Sequence, residues 1–279
     1  MRTPMKTNII RTFIVTAIAI ILGTSPLYAQ FGKPAPTPAK STAKHPLDKG
    51  DFKVGFSPKT KRKNPKKDMP KDEKAAFQEI ATELNAFLAL PRDVYLNLDT
   101  CDEANAYYSS ETSEITICYE LIEQYEEDFR TIEKSQKKVD EMVEDTLVQT
   151  LFHELGHCLI DVWELPATGR EEDAVDQLAT VLLLDGTPES SRSAINAARQ
   201  FEIASRDEDP EDMLFWDEHS FSKTRFYDML CLVYGSNPKQ NKNLVGPNRL
   251  PAERAERCSE EFKRAERSWL KLLAPYLID

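Results

Sequence analysis

The spacing of apolar residues predicts strands in the first part of the chain and helices after them. A helical period runs from Asp72 to Leu90 and ends at Pro91. Alternation predicts strands at Asp93–Leu98, Asn105–Tyr108 and Ser113–Cys118. Helical periods then cover Glu120–Lys138, Glu141–Val162, the stretch from Pro166 to Leu184, Ser191–Ser205, Ser222–Tyr234 and Ala252–Leu273. This order predicts an α+β fold in which a small N-terminal antiparallel sheet is followed by a helical bundle.

Residues 1–29 have the pattern of a secretory signal peptide. Three basic residues accompany a mostly apolar run from Phe13 to Gly23, and Ala29 is a small residue suited to cleavage. The apolar run is short for a bilayer span, although an uncleaved N-terminal anchor is the alternative. We therefore expect a secreted or periplasmic protein with no stable membrane insertion once the signal is removed.

The charge changes sign along the rest of the chain. Residues 30–75 carry thirteen basic and five acidic residues, a net charge of +8. We predict a Pro/Lys-rich linker at 30–50 and, at 51–75, a basic segment with an edge strand within Asp51–Phe56. This segment is either solvated or docked on an acidic surface. Residues 76–279, the predicted domain, have a net charge of −22, which excludes nucleic acid as a partner because the domain repels phosphates.

The candidate chemistry begins with the stretch Leu151–His157, which reads LFHELGH. On a helix, His153 and His157 lie one turn apart on the same face and can share one metal ion. Glu154 is adjacent, where it can reach a water molecule on that metal. The motif therefore predicts a zinc hydrolase in which Glu154 is the general base.

A third ligand is expected from the next predicted helix, where Glu172 and Asp176 lie one turn apart. Glu172 can complete the ligand set, and Asp176 can accept the second N–H of a ligating histidine. Glu171 is the rival ligand, but the residue four positions after it is Val175, which cannot orient a histidine. The three-histidine class of zinc peptidases is excluded because Ile160 and Trp163 occupy its glycine and histidine positions.

His219 is a further candidate for the catalytic site, and the five cysteines are candidates for disulfides. A zinc peptidase needs a hydrogen-bond donor for the oxyanion that develops on the attacked carbonyl; His219 is the first candidate, ahead of Arg225 and Tyr227.

Export permits disulfides, and we predict two, Cys101–Cys118 beside the strand pair and Cys231–Cys258 between neighbouring helices. Cys158 is then a buried free thiol; the alternative is that all five cysteines are reduced.

Four segments resemble a family of bacterial exported proteins described as candidate metallopeptidases, a domain of unknown function. They are HELGHCLID at His153–Asp161, GREEDAVDQ at Gly169–Gln177, Asn105–Tyr108, and the segment Trp216–Gly235. The resemblance extends from about Phe52 to the C-terminus and implies a fold and a zinc site but no known substrate. More broadly, the ligand set resembles the thermolysin-like glutamate zincins, although the interval from His157 to Glu172 is shorter here than in thermolysin.

These residues predict an exported zinc-dependent metallopeptidase. One Zn²⁺ held by His153, His157 and Glu172 activates a water molecule, Glu154 removes its proton, and His219 stabilises the oxyanion. The expected partner is a peptide or protein substrate. Two alternatives are a catalytically silent, zincin-fold peptide-binding protein whose zinc is closed by a fourth protein ligand, and a zinc amidase that acts on a non-peptide, cell-wall substrate. The sequence carries no signal for substrate preference or oligomeric state.

Overall fold

The computed structural model describes residues 45–61, 69–208, 215–247 and 249–278. The predicted signal peptide and most of the linker at 30–50 lie outside these residues. The described elements are β1 (Phe52–Val54), α1 (Lys71–Phe87), β2 (Val94–Asp99), β3 (Ala106–Ser109), β4 (Glu114–Cys118), α2 (Tyr119–Arg130), α3 (Gln136–Trp163), α4 (Glu171–Leu183), α5 (Pro188–Ala204), α6 (Ser222–Ser236) and α7 (Ala252–Leu273). A small sheet followed by packed helices confirms the α+β prediction.

The sheet is mixed, so the prediction of an antiparallel sheet is wrong in part. Its strand order is β1-β2-β4-β3, and only β3 and β4 form an antiparallel pair. The pairs β1–β2 and β2–β4 are parallel. Helix α1 crosses over between β1 and β2, and such a crossover returns the chain in the same direction. The chain passes from β2 to β4 through β3, which runs antiparallel to β4, so β4 lies parallel to β2. Strand β3 lies at an edge of the sheet, where one side of its backbone is unpaired by other strands.

Helix α3 is the centre of the domain. Every residue from Met142 to Gly156 is buried, because the sheet and several helices surround this part of α3. A helix that is buried on all sides must satisfy its polar side chains within the protein. The candidate chemical motif therefore lies on the most enclosed element of the described chain.

Helix α3 begins earlier than the apolar period predicts. The prediction placed the interval between two helices at residues 139–140, whereas α2 ends at Arg130 and α3 begins at Gln136. The Glu133 carboxylate accepts the backbone N–H groups of Lys134 at 2.8 Å and Ser135 at 2.9 Å. These bonds replace helical carbonyl acceptors and so break the helix without glycine or proline. None of the helices in the described part of the chain combines the length and apolarity needed to cross a bilayer.

Candidate metal centre

The two motif histidines project from one face of α3 towards α4. Their Nε2 atoms lie 3.3 Å apart, as one helical turn allows. The side chain of His153 is 9% exposed and that of His157 is 17% exposed. Buried imidazoles in this arrangement can present two nitrogens to one cation.

Glu172 reaches both histidines because α4 packs closely against α3. A Cβ atom added at Gly156 would lie 2.8 Å from the Cβ of Val175, so a side chain at this position would push the helices apart. Across this contact the two carboxylate oxygens of Glu172 approach the histidines separately. Oε2 is 3.1 Å from His153 Nε2, and Oε1 is 3.2 Å from His157 Nε2.

The separations of the donor atoms come close to those of a metal site. Tetrahedral zinc with bonds of about 2.0–2.2 Å separates its ligand atoms by about 3.3–3.6 Å. The two histidine nitrogens are 3.3 Å apart, and the nearest Glu172 oxygen is 3.1 Å from His153 (Oε2) and 3.2 Å from His157 (Oε1), slightly below that range. Glu172 Oε2 is also buried and, among the described residues, accepts no aligned hydrogen bond despite its short contacts. Close donor atoms, one of which is a buried carboxylate oxygen without an aligned hydrogen bond, fit a common cation between them.

Carboxylates fix the outward nitrogen of both histidines. Asp176 Oδ1 lies 2.8 Å from His153 Nδ1, and Glu171 Oε1 lies 2.7 Å from His157 Nδ1. Such partners select the tautomer whose Nε2 lone pair faces a metal. The sequence reasoning anticipated a partner of this kind in Asp176. It missed the role of Glu171, which the rule that each ligating histidine has an acceptor could have suggested.

Arg225 lies behind Asp176 and supports it. Its Nε and Nη2 atoms are 2.6 and 2.7 Å from the two Asp176 oxygens, and its guanidinium stacks 4.1 Å from the Phe201 ring centre. Burial raises the pKa of Asp176, but His153 and Arg225 outweigh it and hold that pKa below its usual value. Arg225 is therefore engaged with Asp176 and is absent from the described residues that line the cleft.

The carboxylates and imidazoles of the cluster shift one another's pKa values. Burial lowers the pKa of His153, but Asp176 and Glu172 outweigh it and raise that pKa to about 9. Burial raises the pKa of Glu172, yet contacts with the imidazoles of His153, His157 and His219 bring it well below the usual range. The carboxylates thus hold protons on the imidazoles. A cation must displace those protons, so metal binding is expected to weaken as the pH falls.

Glu154 lies beside the cluster with its carboxylate in the cleft. The residue is 6% exposed, and burial is the largest influence raising its pKa. The positive imidazoles of His153 and His157 lower that pKa in part, as does a hydrogen bond from the backbone N–H of Tyr108. Its pKa remains above the ordinary glutamate value, which suits a group that must accept a proton near neutral pH.

His219 approaches the cluster from the segment before α6. Its Nε2 atom is 3.0 Å from Glu172 Oε2. One ligand atom each from His153, Glu172 and His219 lie within 4.8 Å of one another, whereas His157 is outside that group and approaches Glu172 through the other carboxylate oxygen. Tyr227 lies elsewhere: it packs against the core, and its ring is close to Phe226 and Lys223.

A cleft of about 750 Å³ opens over the cluster. One wall is the edge strand β3, from which Tyr108 donates its hydroxyl to Asp161 at 2.6 Å. Arg92 also pairs with Asp161. These contacts tie β3 to α3 two turns beyond Glu154, so the strand and the motif helix form the two sides of the cleft.

The cysteine predictions are confirmed. Disulfides join Cys101 to Cys118 and Cys231 to Cys258. The first ties the segment after β2 to the end of β4, and the second joins α6 to α7. Cys158 is free and buried.

Comparison with known proteins gives a family for this chain. The family model DUF4344, whose description is "Putative metallopeptidase", matches residues 56–273, more than three quarters of the chain. The match includes every residue of the metal cluster. No curated protein and no solved structure matches the sequence or the fold.

Proposed function

We propose that this chain, which belongs to the DUF4344 family, is an exported zinc-dependent peptidase. The observation that carries the proposal is the convergence of His153, His157 and Glu172, in which a buried Glu172 oxygen takes no aligned hydrogen bond from the described residues. Two imidazoles and one carboxylate are a ligand set of catalytic zinc sites. Two disulfides agree with an exported protein because they persist in oxidising compartments.

His153, His157 and Glu172 would hold the zinc ion, which when bound would supply Lewis acidity and lower the pKa of a water molecule towards about 7. Glu154 accepts a proton from the attacking water and returns it to the departing amine. Asp176 and Glu171 hold the two motif imidazoles in orientation, and His219 donates to the developing oxyanion. Burial of these groups strengthens their electrostatic interactions with the reacting atoms.

The substrate is an extended peptide that lies along β3. An edge strand offers unpaired backbone groups to which a peptide can add as a further strand. Residues of β3 and the histidine cluster line the same cleft, so a peptide on β3 would present a carbonyl group to Glu154. No nucleic acid is expected as a partner.

The substitution Glu154→Gln tests the proposal. The variant should retain one zinc ion per chain by elemental analysis, while hydrolysis of a peptide library falls by about 10²–10⁴-fold. Glu141→Gln is the matched control, because it removes the same charge from α3 at a partly exposed site paired with Lys137. Full hydrolysis by the Glu154→Gln variant would refute the general-base role.

A peptide-binding protein without catalysis is the second candidate. The observation that favours it is the short distance between His219 and Glu172, because a fourth protein ligand is typical of a structural zinc site. A zinc-loaded wild-type chain that binds peptides from the library but cleaves none would support this candidate.

A further inference from the structure

We propose that His219 is a fourth protein ligand of the metal ion in the resting protein and is displaced when a substrate enters the cleft. This inference rests on the proposed function, because it assumes a metal ion at the cluster. It places His219 in the coordination position that a substrate needs. Once displaced, the imidazole can take a proton from solvent at Nε2 and then donate it in a hydrogen bond to the oxyanion.

The first argument is the geometry of His219. Its Nε2 atom lies 3.0 Å from Glu172 Oε2, which is also 3.1 Å from His153 Nε2. Glu172 Oε2 nevertheless accepts no aligned hydrogen bond from the described residues. A histidine that simply paired with this carboxylate would point an N–H at it. A short contact without alignment is expected when the Glu172 oxygen and the His219 nitrogen both face a metal ion.

The second argument is that the three histidines of the cluster share one pattern. Each has a carboxylate near Nδ1: Asp176 at 2.8 Å from His153 and Glu171 at 2.7 Å from His157 are at hydrogen-bond distance, and Asp217 makes a looser contact at 3.4 Å from His219. Asp217 also accepts the backbone N–H of His219 at 2.8 Å. A carboxylate at Nδ1 is the usual companion of a metal-binding imidazole, because it leaves the Nε2 lone pair free to bind.

The third argument explains why His219 can leave while the other ligands stay. His153, His157 and Glu172 belong to helices and are 9–17% exposed, whereas the His219 side chain is 45% exposed. His219 lies before α6, and the hydroxyl of its neighbour Ser220 donates to Asp173 at 2.7 Å. The half-exposed His219 side chain can therefore move without breaking a helix, while the Ser220–Asp173 hydrogen bond anchors the residue that follows it.

The test counts imidazole ligands on zinc in the full chain. X-ray absorption fine structure at the zinc edge distinguishes imidazole from oxygen ligands without any activity measurement. We expect three imidazoles in the wild type and two in His219→Ala, each with one zinc ion per chain. His45→Ala is the matched control and should keep three, because His45 lies far from the cluster in sequence and bonds locally with Leu47.

Acetohydroxamate, a small zinc-binding probe, tests displacement in the wild type. Its addition should lower the count from three imidazoles to two. A count of two in the untreated wild type would overturn the ligand assignment while leaving the proposed peptidase intact. Three imidazoles that persist with saturating acetohydroxamate would overturn displacement and support a structural ion. A wild type without zinc would instead refute the proposed function.

Discussion

Glu144 is a buried carboxyl group whose ionisation should limit the stability of the fold. It lies on α3, nine residues or about two and a half turns before His153, and is 4% exposed. Its neighbour Asp145 takes the nearby donors, namely Arg192 at 3.1 Å, Ser193 at 2.7 Å and Asn196 at 2.8 Å. Burial, followed by the negative charges of Asp145 and nearby acids, raises the pKa of Glu144 to about 8.

The raised pKa of Glu144 determines whether its ionisation stabilises or destabilises the folded chain. A carboxyl group whose pKa is 4.5 in the unfolded chain and about 8 in the folded chain favours folding when it is protonated. That contribution is complete below pH 4.5 and is lost progressively as the pH rises to 8. At about 1.4 kcal/mol per pKa unit, the upper bound of the loss is about 5 kcal/mol. Relaxation around the buried charge reduces it, and we expect about 2 kcal/mol.

The variant Glu144→Gln should therefore be as stable as the wild type at pH 4 and about 2 kcal/mol more stable at pH 9. Urea unfolding at pH 4, 6, 7.5 and 9 measures the free energy of unfolding of both proteins. Any effect of metal binding is common to the two proteins and cancels in the difference. Glu123→Gln, at an exposed site on α2, should show no such trend. A difference that stays constant from pH 4 to pH 9 would refute the burial argument.

Three further predictions concern the support of the metal site and the disulfides. Asp176→Ala should lower zinc affinity by about 10–100-fold in chelator competition, because His153 loses its orienting partner and Arg225 its counter-ion; unchanged affinity would contradict this role. Paired Cys231→Ser and Cys258→Ser substitutions should lower the free energy of unfolding by about 3–4 kcal/mol, because the disulfide closes a loop with a sequence separation of 27. Thiol titration of the denatured, unreduced wild type should find one free thiol, and five would rule out both disulfides.

The sequence by itself determined the features that depend on near neighbours. Helical spacing put His153 and His157 on one face, and alternation marked the β3–β4 hairpin. The position of each cysteine beside a predicted element was enough to pair Cys101 with Cys118 and Cys231 with Cys258. For the histidines and the hairpin a local period fixes where a side chain points, and that direction changes little when the domain packs.

Only the tertiary structure decided how distant elements meet. It gave the sheet its parallel pairs, brought Glu171 to His157, turned Arg225 towards Asp176, and set His219 against Glu172. These contacts depend on the angle and distance at which whole helices and strands pack, for example on the close approach at Gly156. The packing geometry of helices and strands results from many weak contacts between residues that are distant in sequence. It therefore cannot be predicted from any single stretch of the chain.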